Sequence, residues 1–586
     1  MKMKKIYIVY ILLIGLFTQC SDFLDQDNRS NVPSDDFYKT APGFESLTNS
    51  AYSSLRSIYN MQPLVFSAGT DLYGDGKTQG VVMNYYRSLL PSESNVLNFY
   101  TRCYQGIQLA NSVIYYGDVS EESAVRSQYV DEARFIRAFY YFQLVQQFGA
   151  IPLTKEMYTG AVMNFERTSI KEVYEFIISE FTSLADSGSN LKERDAAGVG
   201  RANKRAAAFF ASKAYLTRAY LNGEGYEALE ENIALGTDFQ NSITYALLAI
   251  DGESPSLSID DAFSIDNEDN DEIFWSVQFS AASMENPSSD GSYQQAQFGA
   301  YLGGSEYQLN KSIDGNMSPA LNLLQKYSKG DGRLEQTFML ELHGTYAPTF
   351  QESKNGYFNY YTAPTTSPIW VYYAPHWATD ADIAAWKADD PHGIKANAII
   401  SKTLASGGEA PNTGDGSTAT WEARRHMDFG VPCIKKFDDY TSTANRSSTC
   451  STHDVVVARL GEAYLIAAEA YIGIGNLVEA SKMINTLRSR PGTIKSGFVS
   501  SMTVSSSDMD IDFILDERAR EMAGEYVRWT DLKRTHKLIE YVTMYNEDGV
   551  TDSDMRGADS NYKFLRPIPQ DAIDKNQTKV EQNPGY

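Results

Sequence analysis

One helix–turn–helix segment constrains the fold more than any other stretch of this 586-residue chain. It runs from Leu460 to Gly492 and reads LGEAYLIAAEAYIGIGNLVEASKMINTLRSRPG. Small residues such as Ala467 and Ala468 mark where two helices approach closely, and Gly475 lies in the turn between them. Aromatic residues beside the alanines fill the groove. The spacing matches the tetratricopeptide pattern, so we expect an array of stacked helix pairs.

Three earlier parts of the chain show the same organisation. The predicted pairs are 44–60 with 104–117, 131–149 with 168–186, and 209–225 with 241–250. Aromatic stripes at helical spacing, such as Phe135, Phe139 and Phe142, predict buried core rather than ligand contacts. The predicted fold class is therefore mainly α, a tetratricopeptide-type scaffold of about four helix pairs.

The N-terminus reads as an export signal that ends on a cysteine. Three lysines among the first five residues precede an apolar run that ends near Thr18, shorter than the ~20 apolar residues needed to span a bilayer. The run leads directly to Cys20, as in bacterial lipoprotein signals. We therefore predict a signal peptide over residues 1–19 and lipidation of Cys20, with plain secretion as the alternative.

The charge balance is strongly acidic. The formal net charge is -24, and it becomes -27 once the three lysines of the predicted signal peptide are removed. Nucleic acid and anionic lipid surfaces are poor partners for such a charge. No later segment is apolar enough to predict a membrane span.

Cysteine usage and motif searches give no sign of enzyme or metal chemistry. Cys103 sits in a helical pattern and is predicted to be a buried thiol, whereas Cys433 and Cys450 could pair in an oxidising compartment. The sequence contains neither HExxH nor GxSxG, and its histidines are scattered. No catalytic residue, metal or cofactor is predicted. Glycoside hydrolysis stays as an alternative, because paired carboxylates meet in space rather than in sequence.

Between about 251 and 453 the helical period lapses into a loop-rich lobe with short strands. The segment EIFWSVQFS alternates as a strand, which makes Trp275 a predicted core residue, and SPALNLLQKYSKG predicts one good helix. The acidic run from Asp266 to Glu272 has Asp271 where a calcium loop needs glycine. A solvated acidic loop is the preferred interpretation there.

The C-terminal segment from Ile514 to Leu538 carries many charges at helical spacing. Opposite charges three and four residues apart lie side by side on a helix, so we interpret them as paired surface residues rather than as catalytic groups. In this interpretation only Trp529 and Leu532 need to face inward. The charged residues concerned are Glu517, Arg518, Arg520, Glu521, Glu525 and Arg528.

Several segments in this order resemble the SusD-like (RagB/SusD) family of Bacteroidetes surface lipoproteins. The matching pieces are CSDFLDQ, EARFIRAFYYFQLVQQFGAIPL, EAYLIAAEAYIGIGN, LDERAREMAGEYVRWTDLKRT and FLRPIPQDAIDKNQTKVEQNPGY. They span the mature chain, and the middle lobe matches only thinly.

The resemblance implies a role in nutrient capture without chemistry. It implies a lipid anchor on the outer leaflet of the outer membrane, facing the cell exterior, and a lid-like role over a SusC-like TonB-dependent transporter. The implied ligand is an oligosaccharide, or less often a peptide. The implied organisation is an anchor and tether over 20–40 and one domain over 41–586, comprising helix pairs within 41–250 and 454–492, the lobe 251–453, and a C-terminal segment 512–586.

The lobe contains the strongest candidate for a sugar platform. A sugar ring offers an apolar face and a rim of hydroxyls, which suits exposed rings with polar tips. In SPIWVYYAPHW the flanking prolines keep the chain extended, so Trp370 and Tyr372 are predicted to share one face, with Trp377 following on the loop. The run NGYFNYY is expected nearby. The alternative is that these rings pack the core of the lobe.

An early loop, GTDLYGDGK, is the second candidate for a ligand face. In the resembling family an early loop contributes to ligand binding, although it varies strongly. That resemblance implies hydrogen-bonding and stacking roles for Asp71, Tyr73 and Asp75.

Overall fold

The computed structural model of the chain describes most residues from Ser34 to the C-terminus. The described ranges are 34–60, 63–222, 232–283, 290–298, 317–345, 354–402, 408–409, 418–441 and 450–586, with the single positions 302, 311 and 313. The predicted signal peptide, Cys20 and most of the tether lie outside these residues. The predictions about them therefore stay predictions.

Long helices dominate both ends of the described chain, and short strands occur mainly in the lobe. The principal helices are α1 (Ala41–Leu55), α2 (Ser94–Val119), α3 (Arg126–Phe148), α4 (Ile170–Ala185), α5 (Lys204–Ala219), α6 (Asp238–Ile250), α7 (Asp380–Ala388), α8 (Leu460–Gly473), α9 (Leu477–Arg488), α10 (Ile511–Glu521), α11 (Arg528–Arg534) and α12 (Leu538–Tyr545). The strands are β1 (Tyr73–Gly74), β2 (Ile273–Val277), β3 (Ser318–Pro319), β4 (Glu341–Thr345), β5 (Lys354–Asn355), β6 (Ile369–Ala374), β7 (Ile399–Lys402), β8 (Gly408–Glu409), β9 (Thr418–Ala419) and β10 (Val455–Arg459).

The four predicted helix pairs are confirmed, and they form one continuous array. Helix α1 packs on α2, α3 on α4, α5 on α6, and α8 on α9. Neighbouring pairs also pack on each other, through α2 with α3 and α4 with α5. The lobe interrupts the array in sequence but not in space, because α6 packs directly against α8.

Local sequence signals set the ends of these helices. The side chains of Thr40, Ser169 and Asn203 cap α1, α4 and α5 by accepting a hydrogen bond from a backbone N–H of the first turn. Gly149 ends α3 with a φ of 69°, and Gly475 makes the turn before α9 with a φ of 75°. Both glycines occupy the left-handed region that other residues rarely adopt.

The core of the array is aromatic. Phe135 and Phe139 on α3 meet the Trp275 ring edge-to-face at centroid distances of 5.0 and 5.1 Å, and Phe210 on α5 joins them. The predictions of a buried aromatic stripe and of a core position for Trp275 are therefore confirmed. At the α2–α3 contact the helices approach so closely that a Cβ on Gly106 would lie 2.2 Å from the Tyr140 ring.

The lobe is built around small sheets. Its largest sheet has the strand order β5-β4-β6-β7, in which β4 and β6 are antiparallel and β6 and β7 are parallel. Strand β2 lies in the predicted place and pairs with β10, which leads directly into α8. The helix predicted over SPALNLLQKYSKG is shorter than expected and covers Leu321–Gln325.

The prediction of a surface position for the C-terminal charges is wrong, because those charges are buried. Glu517 on α10 accepts bonds from Arg333 at 3.0 Å and from Arg488 and Arg520, each at 2.6 Å. Arg333 and Arg488 come from the lobe and from α9, so only the pairing with Arg520 is local in sequence. Burial alone would raise the pKa of Glu517, but the three arginines hold it well below its usual range. Trp529 does face inward, as predicted.

A second carboxylate extends this network. Glu521 accepts bonds from Arg459 at 2.9 Å and from Arg333 at 3.2 Å. Arg459 also donates to Glu525 at 2.6 Å. We call these three glutamates, with Arg333, Arg459, Arg488 and Arg520, the charged junction. It joins the C-terminal helices to the array and to the lobe.

The cysteines of the described residues are all buried. Cys103 packs in the core of the array, so the prediction of a buried thiol is confirmed. Burial raises the pKa of this thiol well above the usual value. Cys433 belongs to the main core, whereas Cys450 packs in a small cluster with Tyr293 and Ala296. Within the described ranges we find no helix with the length and apolarity of a membrane span.

Candidate ligand-binding site

The predicted open face of Trp370 is wrong. The strand predicted between Pro368 and Pro375 is present as β6, but β4 and β7 flank it and most of its side chains are buried. Trp370 is only 4% exposed, and its ring lies 4.5 Å from that of Phe429. Alternation along a strand gives a solvent face only when one side of the sheet is open.

Tyr372 is half-buried and stacks on a tryptophan that the sequence had not singled out. Its ring lies 4.1 Å from that of Trp386 on α7, with an angle of 6° between the planes. Trp386 donates from Nε1 to Glu341 at 2.6 Å, and the Lys395 ammonium lies 4.9 Å from the indole centroid. Burial raises the pKa of Tyr372 to about 12, and the Glu341 charge adds to the rise. These contacts fix the position of both rings.

Trp377 lies on the loop between β6 and α7 and is also half-buried. The neighbouring imidazole of His376 meets its ring edge-on at 4.7 Å and bonds the Tyr327 carbonyl through Nε2 at 3.0 Å. Three rings with polar tips, at positions 372, 377 and 386, thus come from one short segment, which we call the ring segment (residues 369–388). The capping box of Thr379, which starts α7, was the available signal for a helix carrying Trp386.

The NGYFNYY run is buried over Gly356–Phe358 and half-buried over Asn359–Tyr361. It begins on β5, which pairs with β4 of the same sheet. Tyr357 is fully buried, and the hydroxyls of Tyr357 and Tyr361 both donate to Asp438, at 2.8 and 2.9 Å. Tyr361 also stacks on Tyr440 with centroids 4.6 Å apart.

The early loop is buried as well, so a ligand face built from Asp71, Tyr73 and Asp75 is not present in this structure. Asp71 accepts two bonds from the Arg528 guanidinium, at 2.8 and 2.7 Å. The Tyr73 hydroxyl accepts from the Gly524 N–H at 2.8 Å. Both residues therefore fasten the loop to the C-terminal segment.

Asp75 has an equally internal role. One of its carboxylate oxygens accepts from the Tyr85 hydroxyl at 2.7 Å and the other from the Asn84 side chain at 2.6 Å. Its backbone N–H donates to Asp548 at 2.9 Å, and its carbonyl accepts from Arg425. The carboxylate is satisfied inside the protein and has no hydrogen-bonding edge to offer a ligand.

The acidic run after Asp266 is only partly solvated, which corrects the simple loop interpretation. Glu272 is buried, accepts from two backbone N–H groups at 2.8 and 2.9 Å, and pairs with Arg490. Asp269 pairs at the surface with Arg194. In the part of the chain that the structure covers, no group of three or more His, Cys, Asp or Glu side chains has the arrangement of a metal site.

A large open cavity lies elsewhere, against α2. It has a volume of about 830 Å³, within the range of known ligand pockets. Helix α2 forms its floor, the connection between α3 and α4 forms one wall, and the C-terminal segment forms the other. We call it the α2 groove. Its lining includes Leu97, Tyr100, Tyr104, Gln108, Leu109, Tyr158, Val162, Met163, Phe165, Ile568 and Val580.

The architecture is that of a helical-repeat array with an inserted lobe. The chain belongs to the SusD family, whose model matches residues 254–586, more than half of its length. A second model, described as starch-binding and associating with the outer membrane, matches residues 22–216. The resemblance inferred from the sequence motifs is therefore confirmed, and the family is one associated with the outer membrane.

Relatives and solved structures agree with this assignment. SusD-like protein P2 of Formosa agariphila is 25% identical over the full length of both chains, and SusD-like protein P38 of the same organism is 23% identical over 93% of this chain and 94% of its own. A laminarin-binding SusD-like protein shares the fold with a TM-score of 0.63 at 18% identity, covering 94% of this chain and 100% of its own. Surface glycan-binding protein A from Bacteroides thetaiotaomicron, solved with laminarihexaose, has a TM-score of 0.61 at 16% identity, covering 93% and 100%.

Proposed function

We propose that the protein is a lipid-anchored surface glycan-binding protein that delivers oligosaccharides to a SusC-like TonB-dependent transporter. Family membership supports this, as do two fold relatives described as binding laminarin or laminarihexaose. In this proposal the protein binds its ligand without turning it over. Cys20 carries the lipid, so a Cys20→Ala chain should leave the membrane fraction; retention there would contradict the anchor.

The ring segment is the observation that carries the glycan part of the proposal. Trp377 is a half-buried indole on the loop after β6, and the Tyr372–Trp386 stack belongs to the same segment. Glu341 bonds the Trp386 indole, and the Lys395 ammonium donates to the Trp386 and Asp389 carbonyls, so both fix the stack. In this proposal the second carboxylate oxygen of Glu341 is the acceptor for sugar hydroxyls. Because these contacts hold the stacked rings in place, docking a sugar there costs little side-chain entropy.

The test begins with a carbohydrate array probed with protein that lacks residues 1–20. Calorimetry with the bound glycan then compares wild type, Trp377→Ala and Trp386→Ala. Loss of one stacking ring is worth roughly 1–3 kcal/mol, so we expect affinity to fall by about 5-fold to 150-fold.

Tyr158→Ala, in the α2 groove, is the matched control and should keep full glycan affinity. Unchanged affinity in both tryptophan variants, with unchanged melting temperatures, would move the glycan site away from the ring segment. Release of reducing sugar by the wild-type protein would contradict binding without turnover.

A further inference from the structure

The α2 groove has the volume of a small-molecule pocket. Its volume of about 830 Å³ lies within the ~300–1,000 Å³ of known ligand cavities. Three separate segments line it: helix α2, the connection between α3 and α4, and the C-terminal segment. A space lined on several sides surrounds a compact ligand, whereas a protein partner needs a broader surface of about 800 Å². The shape of the groove therefore suits a small molecule.

The walls of the groove are tied to its floor and to each other, so the groove exists before anything binds. Gln108 on α2 donates to the Tyr158 carbonyl at 2.9 Å. Phe165 and Asn576 exchange two bonds between the walls, at 2.9 and 2.7 Å. A preformed site avoids the entropy cost of ordering its walls when a ligand binds.

Aromatic rings form much of the lining. Tyr100 and Tyr104, one helical turn apart on α2, are half-buried and have ring centroids 4.8 Å apart. The Tyr104 hydroxyl is already used, because it donates to the Pro152 carbonyl at 2.8 Å. On the wall, Tyr158 and Phe165 form a second ring pair, edge-on at 6.0 Å. Such rings offer a ligand aromatic surface, which prefers other rings in offset or edge-on contact.

The charged side chains of the lining already have partners inside the protein. Arg167 donates to the Ala150 carbonyl at 2.7 Å and to the Asn583 side chain at 2.6 Å. Asp571 and Lys575 neutralise each other in an ion pair of 2.8 Å. The groove therefore offers no net charge to an ionic ligand.

This lining selects against two kinds of polar ligand. A sugar carries hydroxyls around its ring, and an extended polypeptide carries an N–H and a C=O group in nearly every residue. Either ligand would leave several of these groups without water or protein partners beside Leu97, Val162 and Ile568. A molecule with an apolar body avoids this loss.

Two polar side chains on α2 give the groove one hydrogen-bonding edge. Thr101 and Gln105 line the groove, lie one position after Tyr100 and Tyr104 in sequence, and are exposed. Among the described residues, neither side chain has a hydrogen-bond partner. A hydroxyl and a carboxamide are thus available to a single polar end of a ligand whose body lies on the rings.

The wall opposite this edge exposes apolar side chains to an unusual degree. Tyr158, Val162 and Met163 are 39%, 40% and 48% exposed on the connection between α3 and α4. Clustered apolar exposure beside a concave surface marks interaction sites on proteins. Methionine adapts its shape readily and makes favourable contacts with aromatic rings.

We propose that the α2 groove is a second ligand site, which binds an uncharged aromatic small molecule. Its rings lie on Tyr100 and Tyr104, and its one polar end, a hydroxyl or an amide, bonds Thr101 and Gln105. This inference goes beyond the proposed glycan-binding function and does not depend on it. The groove and the ring segment share no residues, so both sites can be occupied at once.

The experiment measures binding of N-phenyl-1-naphthylamine, an uncharged aromatic dye whose fluorescence rises when it leaves water. The protein lacks residues 1–20 and keeps every described residue. Wild type should bind one dye per chain. In the Val162→Asp/Met163→Asp variant, dye affinity should fall at least about tenfold, because the new carboxylates would be desolvated by the dye.

The matched control is Val499→Asp/Met544→Asp. Val499 and Met544 are 63% and 61% exposed and lie outside the groove, so this variant should bind dye as wild type does. Melting temperatures check that both variants fold. Equal dye affinity in the groove variant and wild type would overturn the inference, as would the absence of dye binding to wild type.

Competition against the dye tests the chemical class. 1-Naphthol should displace the dye better than naphthalene, and naphthalene-1-sulfonate should displace it least. The Thr101→Ala/Gln105→Ala variant should lose the preference for naphthol over naphthalene, because the polar edge is gone. The Tyr100→Leu variant keeps an apolar floor without the ring, so dye affinity should fall by about 2-fold to 10-fold.

The remaining outcomes distinguish other occupants. Displacement of the dye by the glycan found on the array would overturn the inference, by making the groove the glycan site. Displacement by short apolar peptides but by no member of the naphthalene series would overturn it in favour of a polypeptide. Because the glycan test uses variants of the ring segment and this test uses variants of the groove, either proposal can fail while the other stands.

Discussion

The array core and the charged junction hold the same molecule together by opposite means. In the array, Phe135, Phe139 and Trp275 pack edge-to-face and bring no charge inside. In the junction, glutamates of the C-terminal segment and arginines from three regions of the chain are removed from water together. An apolar core tolerates the loss of a contact gradually, whereas a buried ion network fails when one charge is left without its partners. The array therefore provides bulk stability, and the junction enforces one arrangement of its parts.

Removing the carboxylate of Glu517 from the charged junction should give the largest loss of folding stability. Glu517→Gln keeps the shape of the side chain but leaves Arg333, Arg488 and Arg520 without their shared countercharge. Breaking a buried ion pair typically costs about 3–5 kcal/mol. The free energy of unfolding from urea titration should fall by that amount at pH 7.

The control for this change is Glu540→Gln. Glu540 makes a surface pair with Lys537, so the same substitution should stay within about 0.5 kcal/mol of wild type. Equal small effects at both positions would mean that the junction contributes specificity of arrangement but little net stability.

The second-largest expected effect is a loss of folding stability in acid, which should come from the charged junction rather than from the array core. Burial would raise the pKa of Glu521, but Arg459, Arg490 and Arg333 lower it to about 2, against an ordinary value of 4.5. A lowered pKa in the folded state gives stability that is fully present above pH 4.5 and is lost as the pH falls toward 2. Unfolding free energies should therefore decline over that window.

The Glu517→Gln variant lacks one of the two carboxylates of the charged junction whose pKa is lowered, so its decline over the same window should be shallower. Parallel pH profiles for wild type and variant would show that carboxylates elsewhere govern the loss of stability in acid. Both proteins are measured by urea titration at matched ionic strength, because salt screens the surface pairs.

The smallest effect is expected in the array, at the close contact of α2 with α3. A methyl group on Gly106 would meet the Tyr140 ring, whose hydroxyl is bonded to Ser54 at 2.8 Å. Overpacking costs about 1–3 kcal/mol, and replacing a helical glycine returns up to about 1, so Gly106→Ala should lose about 1–2 kcal/mol. Gly198→Ala has only an ordinary contact at 3.7 Å and should change little. A stabilised Gly106→Ala would show that the helices can move apart freely.

The contrast also explains how much of the fold could be predicted. Each helix of the array carries its own apolar and aromatic residues at helical spacing, so the array was visible in the sequence. The junction was not, because two of the partners of Glu517, Arg333 and Arg488, lie 184 and 29 residues away in sequence. Three- and four-residue charge spacings look the same on a surface helix and on a buried one. Only the distant arginines decide between them.

Contacts between residues far apart in sequence explain why the candidate ligand-binding residues were only partly predictable. Asp71 was a candidate because an early loop contributes to ligand binding in the resembling family, yet Arg528, 457 residues away, donates to both of its oxygens. Trp370 looked exposed because the neighbours of β6 in its sheet could not be predicted. The polar-tipped rings of Tyr372 and Trp377 stay half-buried near the surface, and their binding role stays a prediction. The α2 groove had no sequence signal, since three separate segments build it.

The interruption of the array by the lobe has a consequence for biogenesis. Helix α6 ends at Ile250, and α8, which covers it, begins at Leu460. At ~5–20 residues per second, the roughly 210 residues between them take about 10 to 40 s to synthesise. Throughout that interval the last available repeat of the nascent chain presents an uncovered apolar surface. The nascent chain therefore depends on holding chaperones, or on delayed folding, until its final repeat has emerged.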